Sequence, residues 1–113
     1  MKILLVAATG FEVLPLVTYL RKNFKSKEDR RFFSKQVDLH LLITGVGTVA
    51  TTFALATRLA QERFDWAINL GIAGAFSKTT PLGKVFQVVR DRLVDEGVEE
   101  ADGRFVDVIE LGL

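Results

Sequence analysis

No cysteine occurs in the 113 residues. Disulfide frameworks, thiolate metal sites and cysteine nucleophiles are therefore excluded, and a reducing compartment is the natural setting. There is one histidine, His40. With no second histidine beside it, His40 is not expected to hold a metal; it reads as a surface or interface position on a strand. Neither sign of charge is in excess. A formal net charge of +1 gives no case for a nucleic acid or an anionic membrane as partner. Long apolar runs are also lacking: Gly10, Glu12 and Pro15 interrupt the only extended one, which excludes a transmembrane helix. The run Ile3 to Ala8 after Lys2 is too short for a signal-peptide core, and Glu12 follows almost at once. These absences point to a soluble, cytoplasmic chain without a metal or cofactor.

The remaining composition, 49% apolar and 26% charged, is that of a globular chain with length for one domain and one core. Ile3 to Ala8 has the continuous apolar pattern of a central strand covered on both faces. Thr9 and Gly10 end it, and Val13, Leu14, Leu16, Val17 and Leu20 recur at helical spacing to about Lys22. Arg21, Lys22 and Lys25 suit the negative end of that helix. Thr9-x-x-Glu12 reads as a capping box. A helix capped by Thr9 would put Pro15 in its interior, where it lacks an N–H and clashes with the preceding turn. A start near Glu12 or Val13 places Pro15 in the first turn and leaves Glu12 at the strand-to-helix corner. Both readings of Glu12 stand at this point.

Asn23 to Arg31 reads as a charged surface loop. Phe32 and Phe33 open a short strand, and Val37 to Ile43 alternates as a strand exposed on one face at its start. Thr44-Gly45-Val46-Gly47 leads into a helix with Val49, Phe53, Ala56 and Leu59 or Ala60 on one face, ending near Arg63. Gly45-x-Gly47-x-x-Ala50 loosely matches a dinucleotide fingerprint, with Asp65 further on, although that fingerprint belongs after a first strand. Ala67, Ile68 and Leu70 read as a strand buried on both faces. It breaks into Gly71 and Gly74, where a flat ligand can lie against backbone; an ordinary tight turn is the plainer alternative. Pro81-Leu82-Gly83 is a loop, Val85 to Val89 a further strand, Asp91 to Asp102 an acidic solvated loop, and Phe105 to Ile109 the start of another apolar element. Two helices are few for a sheet expected to be buried on both faces, and a further segment or a partner chain would supply the cover.

Met1-Lys2-Ile3-Leu4-Leu5-Val6-Ala7-Ala8-Thr9 with Glu12, Thr44-Gly45-Val46-Gly47, Asn69-Leu70-Gly71-Ile72-Ala73-Gly74-Ala75 and Pro81-Leu82-Gly83 form an ordered series along nearly the whole chain. In this series the sequence resembles the purine nucleoside phosphorylase and nucleosidase superfamily, and most nearly its futalosine hydrolase family. The resemblance implies an α/β fold, three layers α/β/α around a central mixed, mostly parallel sheet. It implies that residues 1–113 are one domain, the N-terminal half of a nucleosidase domain incomplete at its C-terminus.

It further implies hydrolysis of the N-glycosidic bond of futalosine, releasing hypoxanthine in menaquinone biosynthesis, by a homo-oligomer whose partner molecule is a purine nucleoside. Glu12 takes the place of the acidic residue that orients the attacking water. Ala8, Thr9, Val46, Gly47, Ile72, Ala73 and Gly74 take places around the base and sugar. The ribose-binding glutamate, the base-stacking aromatic and the purine-protonating aspartate are implied for the other half. Phe105 and Val106 are candidates for a subunit contact, or for plain core packing. Phosphorylases of the superfamily hold phosphate with basic and hydroxyl side chains where this sequence has Glu12 and Ile72, so water is the implied nucleophile.

Overall fold

The apolar run after Lys2 becomes β1 (Lys2–Ala7), an interior strand in the computed structural model, which describes every residue except Asp29, Val94 and Leu113. Leu4, Leu5, Val6 and Ala7 are all buried. The chain divides into two compact units, Met1–Gly74 and Ala75–Leu113.

In the first unit β1 is flanked by two parallel neighbours. β4 (Asp38–Ile43) pairs with it from Lys2↔Asp38 to Ala7↔Ile43, and β5 (Trp66–Asn69) from Ile3↔Trp66 to Val6↔Asn69. β2 (Lys25–Glu28) and β3 (Arg31–Phe33) extend the sheet antiparallel beyond β4, giving the order β2-β3-β4-β1-β5. A Ser34–Val37 turn joins β3 to β4: the Ser34 N–H donates to the Val37 carbonyl, and Ser34 Oγ accepts from the amides of Gln36 and Val37.

α1 (Leu14–Asn23) begins after Val13 with Pro15 in its first turn, where a missing N–H costs nothing. Its apolar positions recur every three to four residues, so Leu16, Val17 and Leu20 share a face. That face and Phe24 pack with Leu5, Phe32, Leu39 and Leu41 as the core of this unit. Phe32 is fully buried; each such side chain contributes about 1.5–3 kcal/mol of burial free energy. α2 (Thr48–Gln61) follows Gly47, whose φ of 96° suits glycine. It turns Ala50, Thr51, Ala54, Leu55 and Arg58 partly inward but buries no residue.

The second unit is built on a hairpin of β6 (Gly97–Glu99) and β7 (Phe105–Asp107). A Cβ on Gly97 would lie 2.2 Å from the Val106 carbonyl oxygen, so only glycine permits the strands to approach this closely. Asp107 is buried; its Oδ1 accepts from the amides of Ile109 and Glu110, both at 3.0 Å, while Oδ2 meets Arg92 at 2.7 Å. These bonds, led by the one from Glu110, hold the Asp107 carboxyl below its ordinary range.

Several expectations are corrected. The three-layer α/β/α architecture is not formed: two helices are present among the described residues, and α2 closes no buried layer. Nor is the five-stranded sheet mostly parallel, since β1–β4 and β1–β5 are parallel while β2–β3 and β3–β4 are antiparallel; the separate β6–β7 pair is antiparallel as well. The strand expected to be buried on both faces is β5, at the edge of the sheet among the described strands and exposed at all four positions, because its faces are left uncovered. Val49 and Phe53 of α2 are 85% and 75% exposed, the reverse of a core face. Val85 to Val89 form no strand. The charged stretch after Asn23 contains β2, stabilised by pairing rather than by apolar pattern, with lysines that suit an exposed edge. His40, expected at the surface, is buried. Asp29 in that charged stretch and Val94 in the acidic loop lie outside the described residues. Among the described residues no helix is long and apolar enough to cross a membrane.

Candidate active site at the carboxyl edge of the parallel strands

β4, β1 and β5 run in the same direction, so the segments leaving them meet at one edge of the sheet. In parallel α/β arrangements that edge is where ligands bind. The segments are tied together by backbone: Thr44 N–H donates to Ala7 O and Gly45 N–H to Ala8 O, both at 3.0 Å, and Leu70 N–H donates to Val6 O at 2.8 Å. Gly45 and Gly47 both have positive φ, 87° and 96°, which lets the chain turn sharply from β4 into α2. Thr44 Oγ1 lies 3.1 Å from Thr51 Oγ1, fixing the turn to the helix.

Glu12 stands at the corner between β1 and α1. Its Oε2 accepts from the Thr9 N–H at 2.8 Å and from the Thr9 hydroxyl at 3.0 Å, and its own N–H reaches Thr9 Oγ1 at 3.4 Å. The reciprocal bonds of a capping box are thus present, yet the helix starts only at Leu14, so both readings of this segment contribute. The other oxygen, Oε1, faces the turn after β5: a Cβ built on Gly71 would lie 3.2 Å from it. The Thr9 backbone bond, then the Thr9 hydroxyl, with a smaller contribution from the Ile72 backbone, hold the Glu12 carboxyl below its ordinary range. Glu12 is a carboxylate at neutral pH with one oxygen anchored and the other beside a glycine turn.

Of the expected site residues, Thr9 and Glu12 bond directly, the Ile72 backbone meets Glu12, and Ala8 holds Gly45. Val46, Gly47, Ala73 and Gly74 are exposed in the loops of the same edge. Gly71, expected to open room for a flat ligand against the backbone, stands opposite Glu12 Oε1. Three further carboxylates of this unit lie toward the opposite end of the sheet. Asp38 opens β4 beside Lys2, Glu62 pairs with Lys2, and Asp65 accepts from the Lys2 N–H at 2.7 Å. Asp65 is therefore remote from the Gly45–Ala50 turn, against the dinucleotide pattern.

The edge is open rather than enclosed. A cavity of about 340 Å³ lies beside Arg30, His40 and Arg58, and one of about 420 Å³ beside Asn23, Phe33 and Lys35. Neither includes a residue of the glycine turns. No protein-family model matches the chain, and no curated protein and no solved structure matches it either.

Proposed function

We propose that the chain carries the water-activating part of a purine nucleosidase site of the futalosine hydrolase type. The observation that carries this reading is the ionised Glu12 carboxylate, held through Oε2 by Thr9 with Oε1 beside the Gly71–Ile72 backbone. In the proposed reaction Oε1 orients a water against the anomeric carbon of the ribose. The new C–O bond forms as the bond from that carbon to the purine nitrogen breaks, the bonding electrons leave with hypoxanthine, and the water proton passes to the carboxylate. A carboxyl held below its ordinary range is a modest base, but its fixed negative charge opposes the positive charge developing on the sugar. The glycine turns admit the base and sugar close to backbone, with Val46 and Ile72 as apolar walls.

Asp38, Glu62 and Asp65 stand away from this edge and are not placed to protonate the leaving purine. A proton donor missing from the assembly would slow release on the order of 10²–10⁴-fold. Exposed Val49, Phe53 and Trp66 support a homo-oligomer, in which a neighbouring chain adds to the site; the absence of cysteine fits a cytoplasmic setting.

The test is incubation of the chain with futalosine and with methylthioadenosine, with free purine measured by chromatography. Release that disappears in Glu12→Gln, while the circular dichroism spectrum is kept, supports the reading; full activity in that variant refutes it. The capping-box bonds favour one alternative, in which Glu12 is purely structural in a nucleotide-binding or self-associating α/β fragment. That alternative predicts that Glu12→Gln costs stability and leaves nucleotide binding unchanged.

A further inference from the structure

Strand β4 places a buried imidazole beneath the last turn of α2, a helix that itself buries no residue. The seat of that turn is therefore polar, and His40 stands at its centre. Arg58 Nη2 lies 2.9 Å from His40 Nδ1. A guanidinium has no acceptor, so Nδ1 lends its lone pair to Arg58 and the imidazole proton sits on Nε2. Nε2 in turn faces Asp38 Oδ1 at 3.2 Å.

A second group stands beside Nδ1. Glu62, which caps the end of α2, holds Oε2 2.6 Å from Arg58 Nη2 and 3.8 Å from His40 Nδ1. Its other oxygen pairs with Lys2 of β1. Arg58 and Glu62 are four residues apart, so both approach the same ring nitrogen from one end of the helix. Their demands are opposite: Arg58 needs Nδ1 bare, whereas Glu62 can bond it only when it carries a hydrogen. The other charges around the ring come from neighbouring strands. Arg31 of β3 is turned to Asp38, at 3.0 and 2.7 Å. Lys2 of β1 lies over the Phe64 ring, which meets His40 edge-on. Arg30, in the turn before β3, lines a cavity with His40 and Arg58. His40 thus has a carboxylate toward each nitrogen and one guanidinium that only the neutral ring accepts.

We propose that His40 is a proton-operated latch between β4 and α2. In the neutral ring Nδ1 holds Arg58. When Nδ1 takes a proton from solvent its lone pair is used, the bond from Arg58 breaks, and like charges are left in contact. Arg58, whose side chain is one-third exposed, turns out into the cavity of about 340 Å³ that it already lines. The new Nδ1–H donates to Glu62 Oε2, while Nε2–H keeps facing Asp38. The helix stays on the sheet but changes the residue that fastens it, so acid re-seats its last turn without unfolding it. The latch is independent of the Glu12 reading.

Nitrogen-15 NMR of the His40 ring and the arginine side chains, followed on the full chain from about pH 8 to pH 5, is the test. At the high end Nδ1 should appear unprotonated and in contact with Arg58. On acidification it should gain a proton, and the Arg58 contact should disappear at the same midpoint. Arg58 and the proton compete for one lone pair, so Arg58→Met should move that midpoint up by about half a pH unit or more. Glu62→Gln removes the anion that receives Nδ1–H and should move it down by about as much. Circular dichroism should report the same helix content throughout. Four results overturn the proposal: Nδ1 already protonated at the high end, no protonation of His40 in this range, an Arg58 contact that survives it, or a midpoint that neither variant moves as stated.

Discussion

Replacing Asp38 by Asn tests the electrostatics of the sheet's amino-terminal end. The Arg31 side-chain bonds, opposed by burial and helped by His40, hold the Asp38 carboxyl down at about 2, against an ordinary value of 3.8. At 1.36 kcal/mol per pKa unit this displacement corresponds to roughly 2.5 kcal/mol of folded-state stabilisation. The side chain is 27% exposed, and screening by solvent reduces the figure to about 1–2 kcal/mol. Because the folded carboxyl titrates lower than the unfolded one, the contribution is complete above pH 3.8 and is lost as the pH falls from there towards 2. Urea unfolding of wild type and Asp38→Asn, followed by circular dichroism at neutral pH and near pH 2, measures it. The variant should be less stable by about 1–2 kcal/mol at neutral pH, with the gap closing in acid. Equal stability at neutral pH, or a gap unchanged near pH 2, would refute the reasoning.

Other substitutions probe the packing and the turns. Phe32→Ala removes a fully buried ring packed with Leu5 and Leu20 and should cost about 3–5 kcal/mol in thermal or urea unfolding; a loss under about 1 kcal/mol contradicts the assigned core. Gly45→Ala should cost about 1–2 kcal/mol because its φ is +87°, the 3.4 Å approach to Ala50 being ordinary contact. Gly10→Ala, with open space and no positive φ, is the neutral comparison. Gly97→Ala drives a Cβ into the Val106 carbonyl and should separate β6 from β7, seen as loss of amide protection at Val98 and Val106; unchanged protection would contradict the close approach.

Much of the first unit was legible because its signals are local. The unbroken apolar run of β1, the proline that postpones α1 and the glycines before α2 each act within a few residues of where they stand. What was not legible depends on neighbours remote in sequence. β2 has no apolar alternation and exists because β3 is there to pair with it. Trp66 to Asn69 carry the composition of a covered strand, but exposure of β5 is decided by which segments remote in sequence pack on its faces. His40 follows the alternation of an exposed strand face, and it is buried because Arg58, Glu62 and Phe64, from α2 and the segment after it, close over that face. At the candidate site the corner position of Glu12 was readable from Pro15. The approach of Gly71 to its free oxygen needed the β1–β5 register.

The most direct measurement of the central claim follows the oxygen. Futalosine is incubated with the chain in water enriched in the heavy oxygen isotope, with and without phosphate, and the sugar product is weighed by mass spectrometry. Hydrolysis directed by Glu12 predicts one solvent oxygen on the released sugar, independent of phosphate, and no labelled product from Glu12→Gln. Unlabelled sugar phosphate formed only when phosphate is present, or labelled sugar formed equally well without the Glu12 carboxylate, would contradict it.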